Sequence, residues 1–321
     1  MIYICGLLVR AMKTLAEEMA QWISELRYES LPPNVVARTK LILLDTIGCA
    51  LGAPEAPPVR LARQVAQEQG GNALATPIGA AWKTSADQAA FINSLGARYL
   101  DFNDYTDVGS HASTNIGSAL AVTEMQGASG KDLILSVVIA YEVQLRMREA
   151  CDRARDGWDN STLEHYSVAA LAAKMLKLPP DKFAHALAIA AAHANTLSEV
   201  RRGKLSMWKG AAEAMSGKMG TYAALLARAG VTGPLSVIDG KYGFANVVAG
   251  KFNPKPIRAH DGRYQILRSC IKVWPCLFVA QAPIAAALEL YKRGVRAEDI
   301  TKITIALSDF AYKQQKRFQL S

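Results

Sequence analysis

Residues 85–113 run SADQAAFINSLGARYLDFNDYTDVGSHAS, and the change of texture at Leu100 decides how the chain is read. The first half is alanine-rich without β-branched alternation and predicts a helix over 85–100. The second half gathers Asp101, Asn103, Asp104, Tyr105, Thr106, Asp107, Ser110, His111 and Ser113 on one loop at that helix's end. Carboxylates, hydroxyls and a histidine so placed can bind an anionic substrate and move protons. The same residues could instead cap helices, with Asp104, Asp107 or Ser113 satisfying free amides.

Outward from this segment the helical texture repeats. Leu15, Met19, Trp22 and Ile23 fall at helical spacing, and Pro32-Pro33 opens a second helix through Val35, Leu41, Leu44 and Ile47. Gly48 and Gly52 near its end predict close helix packing. Alanine-rich helices are predicted over 133–151, 167–176, 182–194 and 211–229, which together read as a helical bundle. After Pro254-Lys255-Pro256 the pattern changes. A turn at Asp261-Gly262, a helix over about 280–293 and an alternating run over 300–307 suggest the opening of an α+β domain. The expected organisation is mainly α: an N-terminal extension over 1–13, a large all-helical domain over 14–260, and the start of a smaller α+β lid domain over 261–321. A strand at 303–307 needs partners, so either the chain is incomplete or another element supplies them.

A chain of 321 residues suffices for one large domain and part of a second. Half of its residues are apolar and a fifth charged, the balance of a packed protein rather than a disordered one. The net charge of +9 is spread without runs of like charge. It suits the capture of di- or tricarboxylate anions, whereas nucleic-acid binding is disfavoured because aromatic residues do not interleave with the basic ones. Five scattered cysteines without zinc spacing point to a reducing, cytoplasmic setting. Only Cys270 and Cys276 lie near each other, too few thiolates for an iron–sulfur cluster, so no metal is expected. The opening MIYICGLLVR is too short to span a bilayer and lacks a leading positive charge; a start at Met12 is the simpler reading. No other segment reaches membrane length.

Three further segments carry polar candidates. Arg201-Arg202-Gly203-Lys204-Leu205-Ser206-Met207-Trp208-Lys209-Gly210 sets four cations beside a glycine turn, a possible carboxylate clamp or a solvated loop capped by Ser206. Gly157-Trp158-Asp159-Asn160 is followed by His165. Ile271-Lys272-Val273-Trp274-Pro275-Cys276 precedes Ala280-Gln281. His185 and His193 sit on alanine-rich helices and are simplest as packing residues.

These segments, in this order and with Asp45-Thr46-Ile47-Gly48-Cys49-Ala50-Leu51-Gly52 ahead of them, resemble the MmgE/PrpD family of 2-methylcitrate dehydratase and cis-aconitate decarboxylase-like enzymes. Asp101-Phe102-Asn103-Asp104 and His111 match its D-[FWY]-[ND]-D segment and following histidine. Tyr105 stands where the family usually has threonine, which displaces the hydroxyl to Thr106 or replaces it. Ser206-Met207-Trp208-Lys209-Gly210 matches S-x-W-K-G. Asn160 replaces the histidine that often follows Gly-Trp-Asp. An asparagine can orient a substrate but not shuttle a proton; His165 either compensates or, as a lone histidine opening a helix, is structural. Lys272 and Gln281 fall in the I-K-x-[FY]-P and A-Q segments, with apolar Leu277 and Phe278 where relatives can carry histidine.

The resemblance implies a helical large domain, a smaller lid, a homodimer, no metal or organic cofactor, and over a hundred further C-terminal residues. It implies a hydro-lyase acting on a tricarboxylate such as 2-methylcitrate or citrate. Arg201, Arg202, Lys204 or Lys209 would hold carboxylates, with Lys204 counted among the catalytic groups; Asp101 or His111 would take the proton, and Tyr105 or Thr106 would assist loss of hydroxide. Asn103, Asp104, Asn160, His165, Ser206, Lys272 and Gln281 would line the substrate. Two other outcomes are open: decarboxylation or epimerisation of a related acid, or an inert truncated scaffold.

Overall fold

The computed structural model describes residues 13–151, 157–193, 195–259, 261–309 and 311–313. The expected N-terminal extension thus lies outside the described residues except for Lys13. The chain is mainly α-helical. Helix α1, Leu15–Glu25, begins with a reciprocal cap in which Thr14 and Glu17 satisfy each other's amides. Pro33 stands at the first position of α2, Pro33–Leu51, where its missing N–H costs nothing. There follow α3, Pro57–Gln69, α4, Ala86–Tyr99, α5, Asn115–Met125, α6, Gly130–Ala150, α7, Glu164–Met175, α8, Pro180–His193, and α9, Trp208–Ala229.

The middle of this bundle is buried on every side. Residues 134–147 of α6 and 164–173 of α7 are all buried, and Tyr141, Tyr166 and Phe183 are among the largest side chains fully withdrawn from water. Such helices carry no amphipathic stripe, because no face meets solvent. Their polar residues Glu142, Gln144, Arg146, Glu164, His165 and Ser167 are therefore buried too, and each must be paired or neutral.

Close approach of the axes depends on glycines the sequence did not single out and, of the two it suggested, on Gly52 alone. A Cβ on Gly220 of α9 would lie 2.6 Å from Val168 Cβ of α7, and one on Gly117 of α5 would lie 2.4 Å from the Ser94 amide nitrogen of α4. Gly52 also packs closely, against Leu100, but a Cβ on Gly48 would meet nothing within 4 Å. Gly220→Ala is thus expected to destabilise the fold by about 1–3 kcal/mol through overpacking. Gly48→Ala should be neutral or stabilise by up to about 1 kcal/mol through helix propensity. Urea unfolding of the two variants side by side checks this, and equal midpoints would refute the packing account.

The chain then runs through the short helices α10, Phe244–Val247, and α11, Lys255–Arg258, to a two-stranded antiparallel sheet. In it β1, Tyr105–Thr106, pairs with β2, Ser269–Cys270, in the register Tyr105 to Cys270 and Thr106 to Ser269. This ladder carries the segment around Lys272 onto the polar loop after α4. Helix α12, Gln281–Lys292, forms as expected but buries none of its residues. The strand expected at 303–307 does not form: the stretch is irregular, with Ile303 and Ile305 exposed. A strand is held by hydrogen bonds to a neighbour, and among the described residues none lies alongside.

Candidate active site

Helix α4 ends at Tyr99, and Asp101 turns the chain with φ +49°, a left-handed conformation unusual for a residue other than glycine. Its carboxylate is held from three sides. Oδ1 accepts from Arg98 Nη1 at 2.6 Å and from Lys272 Nζ at 2.8 Å, and Oδ2 lies 3.4 Å from Lys209 Nζ. Lys272 Nζ also donates to the Asp101 carbonyl at 2.6 Å. Burial by itself would raise the Asp101 pKa, but Arg98 and Lys272 outweigh it and hold the carboxyl well below the usual range. Asp101 is therefore a fixed anion and a weak base.

Past β1 the loop turns on Thr106, whose buried hydroxyl accepts from the Ser110 amide at 3.3 Å. His111 follows, half-buried, with Nδ1 2.7 Å from the Asp104 carbonyl oxygen. A carbonyl only accepts, so Nδ1 carries the hydrogen and the neutral ring bears its lone pair on Nε2. Burial, reinforced by Arg98 and Lys272, keeps the His111 pKa well below its ordinary value against the opposing charge of Asp101. The side chain of Asp104 is fully buried, its pKa raised by that burial, and it accepts from Tyr141 Oη at 2.6 Å and the Ser113 amide at 3.2 Å. Asn103 Nδ2 donates to Ser113 Oγ at 2.9 Å. The half-buried Tyr105 stacks on Phe278 with ring centroids 5.2 Å apart.

Behind Asp101 lies a buried ion network. Arg98 pairs through Nε with Glu213 of α9, whose other oxygen accepts from Arg201 Nη2 at 2.6 Å. Arg201 also forks onto Asp159, at 2.5 and 3.1 Å. Glu164 of α7 sits beside this network, and burial followed by the charge of Glu213 raises its pKa well above the ordinary carboxylate value. Gln144 Nε2 lies 3.3 Å from it.

This arrangement separates the sequence candidates. Asp101, Lys209 and Lys272 form one cluster, with Arg98 added. Arg201 is committed to Asp159 and Glu213 and is not a free carboxylate clamp. Arg202, Lys204 and Ser206 lie on an exposed loop; neither Arg202 nor Lys204 makes an ion pair among the described residues, and Ser206 Oγ accepts the Trp208 amide at 3.3 Å in the turn ahead of α9, without capping that helix. Asn160 donates to the Gly109 carbonyl at 3.3 Å, across the loop that leads to His111. Gln281 bonds the backbone of Val273 and Trp274 and so shapes that turn.

His165 is buried in α7, its Nδ1 3.2 Å from the Ser161 carbonyl and its ring edge toward exposed His193. Burial, with the nearby His193, lowers its pKa to about 4. The unfolded value is about 6.5, so as pH falls the unfolded chain takes up this proton first. The contribution to stability is fully present above about pH 6.5 and is lost as pH falls toward the folded value of about 4. Unfolding free energies measured across this window should fall less steeply in His165→Gln than in the parent chain; parallel curves would show that His165 is not the titrating group.

Arg98, Tyr141, Gln144, Glu164 and Glu213 do not stand out in the sequence. The available signal is a lone charged or amide side chain inside an alanine- or valine-rich helix, as at Ala212-Glu213-Ala214 or Val143-Gln144-Leu145. Among the described residues no group of three or more histidine, cysteine or acidic side chains is placed to hold a metal ion, and no helix is long and apolar enough to cross a membrane.

The family model of the MmgE/PrpD N-terminal domain matches residues 17–257, well over half of the chain and nearly all of the helical bundle. The chain belongs to the MmgE/PrpD family. It is 26% identical over 320 residues to the cis-aconitate decarboxylase-like protein oryM of Aspergillus oryzae, an alignment covering 91% of this chain and 66% of that one. It is 28% identical over 254 residues to cis-aconitate decarboxylase of Homo sapiens, covering 76% and 52%. To 2-methylcitrate dehydratase of Salmonella typhi it is 30% identical over 291 residues, covering 82% and 58%. The chain thus spans between about half and two-thirds of the length of these family members.

Proposed function

We propose that this MmgE/PrpD chain is a lyase that removes water from a hydroxylated tricarboxylate such as 2-methylcitrate or citrate. The observation that carries the reading is His111, a neutral imidazole with its Nε2 lone pair unprotonated, beside a carboxylate pinned by Arg98, Lys272 and Lys209. Family relatives named 2-methylcitrate dehydratase support the substrate class.

In this reading His111 Nε2 takes a proton from the carbon next to a substrate carboxylate. The electron pair of that C–H bond forms the C=C bond as the C–O bond breaks. Lys209 and Lys272 oppose the charge that builds on the carboxylate, at a site where burial makes such charges effective. Tyr105 Oη protonates the departing hydroxide, and the proton on His111 then returns to Tyr105, directly or by exchange through solvent. Thr106, buried in its turn, is a poorer donor. Relatives named cis-aconitate decarboxylase favour a second reading in which a C–C bond breaks, carbon dioxide leaves and a proton is delivered to the same carbon.

Proton NMR of the chain incubated with 2-methylcitrate, citrate and cis-aconitate separates the two. An unsaturated tricarboxylate appearing from a hydroxylated one establishes dehydration. Carbon dioxide and a dicarboxylate from cis-aconitate establish decarboxylation instead. Silence on all three, from this chain and from one extended to its relatives' length, would move the assignment to another acid or to a non-catalytic scaffold.

A further inference from the structure

A tyrosine and an aspartate are buried together beneath the loop that bears His111, and neither takes part in the proton transfers of the lyase reaction. Tyr141 and Asp104 are both fully buried, and the phenol donates to Asp104 Oδ2 at 2.6 Å. The other oxygen, Oδ1, accepts the Ser113 amide at 3.2 Å, two residues past the histidine. The main chain of the same Asp104 presents its carbonyl to His111 Nδ1 at 2.7 Å. Asp104 thus grips the loop on both sides of His111 and is itself gripped from α6. Asn103 to Ser113, at 2.9 Å, ties the same two strands of the loop a second time.

We propose that Tyr141 and Asp104 are positioning residues that hold His111 in the Nδ1–H tautomer, so that Nε2 faces the reacting carbon unprotonated. The proposal rests on His111 being the base. Its physical logic is that an imidazole in water divides between two tautomers, and the hydrogen bond made by one nitrogen decides which nitrogen is free. A backbone carbonyl can make that choice only if it cannot rotate away. Anchoring the side chain of the residue that owns the carbonyl to a buried helix removes that freedom. Tyr141 is placed for this anchoring, since it lies under the loop and its oxygen meets Asp104.

The test is two-bond 1H–15N NMR of the histidine rings, assigned by the resonance lost in His111→Gln, in the parent chain, Tyr141→Phe and Asp104→Asn. It requires no substrate, so it stands apart from the lyase assignment. The parent chain should show His111 with a protonated Nδ1 and a bare Nε2. Tyr141→Phe should show several-fold more of the opposite tautomer and, in whichever reaction is found, a kcat lower by about tenfold with KM nearly unchanged. If Tyr141→Phe does not fold, Asp104→Asn, which keeps an acceptor for Tyr141 but sets an amide against the Ser113 N–H, should show the same shift to a smaller degree. A parent ring protonated on Nε2, or a tautomer unchanged in the folded variants, overturns the proposal. A shifted tautomer with unchanged turnover would keep the anchor but deny it a part in catalysis, which also overturns it as stated.

Discussion

His111→Ala is expected to lower turnover by about 10²–10⁴-fold, the range for loss of a general base, while changing stability by no more than about 1 kcal/mol. The two effects separate because of where the ring sits. It is half-buried on a loop, and its one named hydrogen bond goes to the Asp104 carbonyl, so truncation removes little packing. The chemistry, by contrast, has no substitute nearby. Asp101 is held ionised by Arg98 and Lys272 and is too weak a base, and His165 is buried in α7 with its Nδ1 toward a backbone carbonyl. Steady-state kinetics with thermal unfolding decides the point. A large fall in the unfolding midpoint with unaltered turnover per folded molecule would show that His111 is structural.

Glu213→Ala should have a larger effect on stability than any other substitution named here, a loss of about 3–5 kcal/mol. Glu213 is the common acceptor of two guanidiniums, buried Arg98 and half-buried Arg201. Its removal leaves both short of a counter-charge, and at buried Arg98 water cannot replace it. Arg98 keeps Asp101 and Arg201 keeps Asp159, so the network is weakened rather than abolished. Glu164 supplies a partial remedy: the charge of Glu213 is one of the causes that raise its pKa, and without that charge Glu164 ionises more readily toward Arg201. Glu213→Gln, which keeps an acceptor oxygen, should therefore cost less than Glu213→Ala. Denaturant unfolding of both variants checks the order, and equal stability of Glu213→Ala and the parent chain would sink the account.

Much of the site was legible because its residues are local in sequence. Asp101 through Ser113 lie within one loop, and a dense run of acidic, hydroxyl and histidine side chains after an apolar helix is visible without coordinates. Lys209 was legible for the same reason, as part of a basic run. The same logic misassigned Arg201. Its neighbours in sequence are cations, which suggested a clamp for substrate, but its neighbours in space are Asp159 and Glu213. An arginine's role is set by which carboxylates reach it first. Gln281 went the same way: expected beside the substrate, it closes a turn through backbone groups seven and eight residues away.

The sequence by itself determined that the chain is a helical bundle, where most of its long helices run, and which loop gathers the polar residues of the candidate site. These follow from residue type and short-range spacing: alanine-rich stretches, proline starts and polar interruptions are encoded where they act. Helices α3 and α5 were not anticipated. The first is largely exposed; the second is buried on all sides and so shows no stripe. Only the tertiary structure decided that Asp101 is a pinned anion, that His111 Nδ1 meets the Asp104 carbonyl, and that Arg98, Glu213 and Tyr141 pack behind the polar loop. The physical reason is that charge state and tautomer depend on burial and on partners far away in sequence. Lys272 reaches Asp101 across 171 positions of chain, and Tyr141 reaches Asp104 across 37. No local pattern carries those distances; the packing of α4, α6 and α9 and the pairing of β1 with β2 create them.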